Sequence, residues 1–216
     1  MSMITAFLNL KGGCGKSTSA VHLCRYFLEQ GKHVALVDAD GQATSSNWIA
    51  HLDEGIPRPS VFRLTEPDPI LDDLPAIASQ HDEVVVDGAG GLAEVQRAVL
   101  LLADVVVIPV QPSIPDVSAS HEAIKAVRRA RQIRNGAPRA FVFLTRVVPN
   151  TLLLNEAREI LGGYSDVPLL KSEIPQRQAA ADAMGQGKTL FDFKGNRPAT
   201  ELARHYRELF KEVGCG

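Results

Sequence analysis

Cysteine is scarce, and its spacing suits no chemistry of its own. Cys14, Cys24 and Cys215 are odd in number and include no C-x-x-C pair. That excludes a disulfide framework and a zinc site and points to free thiols in a reducing compartment. A long hydrophobic run is missing as well: the most apolar stretch, residues 98–110, is interrupted by Asp104 and Pro109, so no bilayer span is expected. No basic region precedes the short apolar run at the N-terminus, which reads as a buried strand and not a signal peptide. Charge of either sign is not in excess. With 23 Lys and Arg against 25 Asp and Glu the formal net charge is −2, so any attraction to nucleic acid or anionic lipid has to come from a local patch. Repeats and low-complexity segments are absent. The 216 residues, 45% hydrophobic and 22% charged, are enough for one α/β domain with a full core and short for two, so residues 1–216 are read as a single domain.

Short apolar runs alternate with longer helical patterns almost to the C-terminus. This alternation predicts a mostly parallel, twisted sheet of about seven or eight strands with helices on both faces. Strands are expected over 3–10, 33–38, 60–64, 83–87, 104–110, 139–145 and 168–174, and several of these are continuously apolar, as strands buried on both faces are. Helices are expected over 16–30, 44–51, 69–80, 93–102, 118–135, 151–161, 177–184 and 198–213. Gly31 suits the C-cap of the first helix and Pro198 the first turn of the last. Residues 53–69, with four prolines, form the expected irregular excursion.

The chemistry concentrates in Lys11-Gly12-Gly13-Cys14-Gly15-Lys16-Ser17-Thr18, between the first strand and the first helix. The phosphate-loop spacing G-x-x-x-x-G-K-[ST] would need glycine where Leu10 stands, so the match is to the variant K-G-G-x-G-K-[ST]. Small residues let successive N–H groups curl around phosphate oxygens, and the following helix adds its positive end. Lys16 then reaches the β- and γ-phosphates, and the Ser17 hydroxyl is a ligand for Mg²⁺. Cys14 contributes its backbone N–H, and a thiol so near a helix N-terminus is expected to be more acidic than usual. A second piece is Glu83-Val84-Val85-Val86-Asp87-Gly88-Ala89-Gly90-Gly91, a buried strand ending in one carboxylate and then small residues. Mg²⁺ keeps most of its waters and needs an outer carboxylate to hold them, a task for Asp87. The third piece is Asp38-Ala39-Asp40-Gly41-Gln42, at the C-terminal end of the second strand, where open α/β sheets place ligand groups. Taken alone, that acidic pair also reads as a cap for the next helix.

The extra lysine, Lys11, makes the first motif resemble the deviant Walker A ATPases, the group of ParA, Soj, MinD and the nitrogenase iron protein. The resemblance spans essentially the whole chain and is most specific over residues 11–18. It implies a P-loop NTPase that binds ATP and Mg²⁺ and forms a homodimer on binding ATP, with Lys11 reaching the partner subunit's phosphates. It further implies that Asp40 orients the attacking water and that Asp38 lies in the outer shell of the metal. In the family the acidic segment reads D-x-D-P-Q, so Gly41 is a departure. Residues 103–113 with Asp116, then Thr145-Arg146 and Ile174-Pro175-Gln176-Arg177, resemble the ParF branch of small partition ATPases. By that likeness Thr145, Arg146 and Pro175 contact the nucleoside. Alone they also read as a strand-end polar pair and a helix-opening proline.

The likeness implies a partner-stimulated ATPase of the bacterial cytoplasm, associated with the nucleoid in its ATP state. It would partition plasmid or chromosomal DNA with a small centromere-binding protein, or position a protein cargo such as a carboxysome or chemoreceptor cluster through an adaptor. The chain begins at the phosphate-loop strand, so the DNA-binding extension of larger members is not expected and sequence specificity falls to the partner. For non-specific DNA the candidates are Lys125, Arg128 and Arg129, on a helical face opposite Ala123, Val127 and Ala130. The same charges also read as a solvated surface. A membrane-cycling member would need a basic amphipathic C-terminal helix. Here Leu202, Tyr206, Leu209 and Val213 form a narrow stripe among mixed charges, which predicts docking on the core and no membrane contact. An iron-sulfur carrier lacks its paired cysteines and a tyrosine kinase its tyrosine-rich tail.

Overall fold

The computed structural model describes residues 2–91 and 93–215. In chain order the elements are β1 Met3–Phe7, α1 Lys16–Glu29, β2 Val34–Asp38, α2 Thr44–Ala50, β3 Ser60–Arg63, α3 Pro67–Ser79, β4 Glu83–Asp87, α4 Ala93–Leu102, β5 Val105–Val110, α5 Ile114–Ile133, β6 Arg139–Val147, α6 Leu152–Gly162, β7 Ile174–Pro175, α7 Gln178–Gly185, a 3-10 turn Leu190–Asp192 and α8 Arg197–Val213. The seven strands form one sheet in the order β3-β2-β4-β1-β5-β6-β7, and every pairing is parallel. Strand order reverses around β1, so the crevice at the carboxyl ends of the strands opens beside the loop that follows β1.

Period-two alternation sorts the apolar side chains onto two faces. Ala6, Val84, Val86, Val106 and Ile108 face α3 to α6, while Phe7, Val85, Val105 and Val107 face α1, α2, α7 and α8. The continuously apolar runs of β4 and β5 are buried along their whole length because both faces are covered. On α8 the stripe Leu202, Tyr206, Leu209 and Val213 is fully buried against the second layer.

Some boundaries differ from the sequence pattern for identifiable reasons. Helix α5 starts at Ile114 and not at 118, because the Ser113 side chain caps it, accepting from the Asp116 N–H at 3.3 Å, with Pro115 in the first turn. It ends at Ile133, ahead of Asn135 and Gly136, which both have positive φ. The strand expected over 168–174 is reduced to β7 and an isolated bridge between Val142 and Leu169. The Lys171 and Ser172 amides donate instead to the Glu212 carboxylate of α8 at 2.8 and 2.9 Å, which takes them out of the ladder. Strand β3 lies within the proline-rich excursion, and β6 runs on to Val147.

Candidate nucleotide site

Three strand ends converge. β1 leads into the loop 11–18, where Gly13 at φ 76° and Gly15 at φ 93° take left-handed conformations that side chains resist. Gly15 is the N-cap of α1, so the first-turn N–H groups of that helix open toward the loop. The Lys16 ammonium is buried and donates to the Lys11 carbonyl at 3.0 Å. Asn9 braces the loop from below: its Nδ2 donates to the Pro109 carbonyl at 2.8 Å and its Oδ1 accepts from the Lys11 N–H at 3.1 Å. From β5, Gln111 donates to the Gly13 carbonyl at 2.9 Å. Asn9 and Gln111 drew no role from sequence, although a lone amide between Leu8 and Leu10 in an apolar run is a signal for the first.

From β4, Gly88 must be glycine. A methyl group there would stand 2.3 Å from Leu8 Cδ2 and 2.7 Å from the Phe7 carbonyl oxygen. A methyl at Gly90 would lie 3.7 Å from both Lys16 Nζ and Gly12 Cα and 3.9 Å from Asp40 Oδ2. The ammonium, the loop backbone and that carboxylate therefore surround one point. The Gly90 N–H holds Asp40 Oδ2 at 3.1 Å, while Asp40 Oδ1 accepts from the Gln42 N–H at 2.9 Å. Asp38 is occupied within its own segment. Its Oδ1 accepts from the Asp40 N–H at 3.1 Å and its Oδ2 from the Ser46 N–H and hydroxyl at 2.9 and 2.5 Å.

Asp87 differs from both. It is fully buried, and neither carboxylate oxygen has a hydrogen-bond partner among the described residues. Burial pushes its pKa up to about 7. The neighbouring Ser17 and Ser45 hydroxyls pull the other way without completing a bond to either oxygen, Asp38 adds to the rise, and Lys16 opposes it. A buried carboxylate short of donors, beside Ser17, fits a hard cation with its water shell. The expected acidity of Cys14 is not found: its side chain is buried, burial raises its pKa despite Lys16, and its thiol donates to the Lys11 carbonyl at 3.3 Å. Cys14, Cys24 and Cys215 are all buried and free.

Two cavities meet at the loop. One of about 290 Å³ is lined by Gly12, Gly13, Lys16, Ser17, Asp40 and Arg146, among others. The other, about 310 Å³, lies among Thr145, Arg146, Pro175, Gln176, Arg177 and Tyr206, with Gly15 and Thr18 on its near wall. Gly15, Thr18 and Arg146 border both. Gly12, Gly13, Gly15, Lys16, Ser17, Thr18, Asp40, Thr145, Arg146 and Pro175 thus line these two joined cavities, whereas Lys11, Cys14, Asp38 and Asp87 line neither. Arg146 reaches its position with φ 53°, a left-handed conformation for a residue with a side chain.

The basic residues of helix α5 are largely engaged with their own molecule. Lys125 pairs with Glu122 at 2.7 Å, and Arg128 holds Asp166 through two bonds of 2.8 and 2.7 Å while lying over Tyr164. Arg131 donates to the Pro138 and Asp166 carbonyls, and Arg134 to those of Leu100 and Ala103. Ala123, Val127 and Ala130 are buried as the spacing implies, and Arg129 is exposed. Among the described residues no helix is long and apolar enough to cross a membrane.

Residues 5–190 match the family model described as the CobQ/CobB/MinD/ParA nucleotide binding domain. The chain is 28% identical over 211 residues to the maintenance of carboxysome distribution protein A of Halothiobacillus neapolitanus, covering 94% of each chain. It is 26% identical over 236 residues to the chromosome-partitioning ATPase Soj of Thermus thermophilus, covering 96% of this chain and 94% of that one. In structure it is similar to the septum site-determining protein MinD of Pyrococcus horikoshii complexed with Mg-ADP, with a TM-score of 0.76 and 18% identity over 100% of this chain and 98% of that one.

Proposed function

Because the chain belongs to the CobQ/CobB/MinD/ParA nucleotide-binding family, we propose that it is a Mg²⁺-dependent ATPase of the ParA type whose ATP-bound form is a dimer of two copies. Its work is to segregate DNA while held on the nucleoid, with a small centromere-binding protein supplying sequence specificity and stimulating turnover. The observation that carries this is the set of groups around Gly90: a buried Lys16 ammonium resting on a carbonyl, the Asp40 carboxylate held by one N–H, and the partnerless Asp87 carboxylate nearby.

Each group has a part in phosphoryl transfer, where catalysis is mainly positioning and charge stabilisation. The loop amides of residues 12–18 cradle the phosphates, and Lys16 exchanges the Lys11 carbonyl for phosphate oxygens. Ser17 and Asp87 would hold Mg²⁺, Asp87 through bound water, and Asp38 keeps the 38–46 segment in register around it. The metal, when bound, neutralises charge on the β- and γ-oxygens. Asp40 orients the water that attacks the γ-phosphate. Thr145, Arg146 and Pro175 line the place for the nucleoside. Lys11, exposed at the mouth of the loop, serves the site of the second copy in the way an arginine finger does. Replacing Lys11 with Ala should leave ATP binding intact and lower turnover by about 10³ to 10⁵. Normal turnover in that variant, measured as phosphate release, would exclude the two-copy site.

A protein cargo carried by the same cycle is the second reading, favoured by the likeness to a carboxysome distribution protein over nearly the full length of both chains. Deleting the gene separates the two. Loss of a plasmid or of chromosome segregation supports the first, and a mispositioned protein assembly in cells that keep their DNA supports the second.

A further inference from the structure

A groove of about 240 Å³ runs between α4 and α5. Its floor is apolar: Leu100 and Leu101 come from α4, and Ala126 and Ala130 from α5. Ile133, the last residue of α5, lines it as well and is 71% exposed. Single exposed hydrophobics are ordinary, but one that continues a concave apolar floor enlarges a surface able to take a partner's side chains.

Arg97 and Arg129 complete the lining, one from each helix, and both are exposed. Neither takes part in an ion pair among the described residues, whereas Lys125, Arg128 and Arg131 of the same α5 all do. Two unpaired cations on an apolar groove define what fits it: apolar side chains for the floor and carboxylates for the guanidinium groups. DNA meets only half of this. Phosphates would leave the floor wet, and the adjoining cavity, which shares Arg97 and Leu101, carries Glu66, Asp68 and Glu94. The groove residues lie toward the C-terminal ends of α4 and α5, which lead into the starts of β5 and β6. In a parallel sheet that is the end opposite the nucleotide crevice.

We propose that this groove docks an acidic amphipathic helix of a partner protein, with apolar side chains at helical spacing on the floor and carboxylates reaching Arg97 and Arg129. A helical occupant satisfies its own backbone, which matters here because two packed helices offer no free strand edge to pair with. The arginines fix its register and exclude basic competitors, while the floor supplies the desolvated contact. Because the groove is remote from the crevice, docking needs neither nucleotide nor a second copy, and this inference does not rest on the ATPase reading.

The probe is a fluorescein-labelled peptide of about 15 residues with Leu at i, i+4 and i+7 and Glu beside them, together with a counterpart carrying Lys in place of Glu. Binding to the full chain is read by fluorescence anisotropy. The acidic peptide should bind the parent at least about tenfold more tightly than the lysine counterpart, and equally well with or without Mg²⁺ and a non-hydrolysable ATP analogue. Arg97→Glu with Arg129→Glu should reverse that preference, a gain of binding that an unfolded variant cannot give. Ile133→Asn should weaken the acidic peptide about tenfold, with an unaltered melting temperature as the check on its fold. A parent that binds neither peptide, or both alike, overturns the proposal, and if the double variant has then lost DNA retention, the arginines belong to DNA. Binding of the acidic peptide only with the ATP analogue would place it at the crevice and overturn the proposal too. So would self-association of the parent that Ile133→Asn abolishes, which gives the groove to a second copy.

Discussion

Asp87 is buried without a hydrogen-bond partner among the described residues, a cost to stability that its proposed part in binding a cation accounts for. Its carboxyl titrates at about 7 in the fold against 3.8 in the open. A carboxyl shifted upward favours the folded state in its protonated form, so its contribution is complete below about pH 4 and is lost as pH rises through 7. Asp87→Asn keeps the shape without the charge. Free of nucleotide and metal, that variant should melt higher than the parent at pH 8, by about 2–4 °C per kcal/mol of relieved burial, and by less at pH 5. It should also lose Mg²⁺-dependent turnover. A lower melting temperature at pH 8 would mean that the carboxylate is satisfied in the apo protein and is not held ready for a cation. The candidate role of Asp87 was read in sequence from its place after Val84-Val85-Val86. Its lack of partners was not, because that depends on Ser17 and Ser45 arriving from other elements.

Helix α5 is the element whose sequence says least about its use. Five basic residues lie between 125 and 134, of which Lys125, Arg128 and Arg129 read as one charged face, and the fold gives them different partners. Arg128 is committed to Asp166, and Arg131 and Arg134 cap carbonyls of neighbouring segments. Arg129 remains exposed. If this helix touches DNA phosphates, Arg129→Glu should weaken ATP-dependent retention on DNA and lower the slope of its salt dependence by about one. Retention by Arg129→Glu with the parent's affinity and salt slope would exclude α5 as the DNA face. Arg128→Glu is a poorer probe, since it also frees the segment around Asp166. Charge composition could not make this division, because the partners of Arg128 and Arg134 lie 31 to 38 residues away in the chain.

At the scale of the whole molecule, the layer behind the site turns on His22. Its Nδ1 donates to the Thr18 carbonyl at 2.6 Å, its Nε2 accepts from the Leu190 N–H at 3.0 Å, and its ring stacks on Tyr206 and meets Trp48 edge-on. One neutral imidazole thus joins the phosphate-loop helix to α2, the 3-10 turn and α8. Burial lowers its pKa to about 4 from 6.5. Its contribution to stability is therefore complete above about pH 6.5 and lost as pH falls through 4, on the order of 3 kcal/mol in all. Denaturant unfolding should register that loss across this window. A His22→Gln protein should be less stable at pH 7 and show a flatter profile between 6.5 and 4. An unchanged profile would assign the acid sensitivity to other groups.

What the sequence determined by itself is whatever local spacing encodes. The alternation of buried strands and amphipathic helices fixes a parallel α/β layer structure, since only that arrangement buries both faces of runs such as Val105 to Val110. The loop 11–18 carries its chemistry in consecutive residues, because a phosphate cradle is made by neighbouring backbone amides. The tertiary structure alone decided what depends on distant partners: the shortening of the last strand by Glu212, the engagement of Arg128, the raised pKa of Cys14, and the gathering of Ile133 with residues of α4. Each of these is a competition between groups far apart in the chain, and burial and hydrogen bonding choose the winner only once the sheet has brought them together.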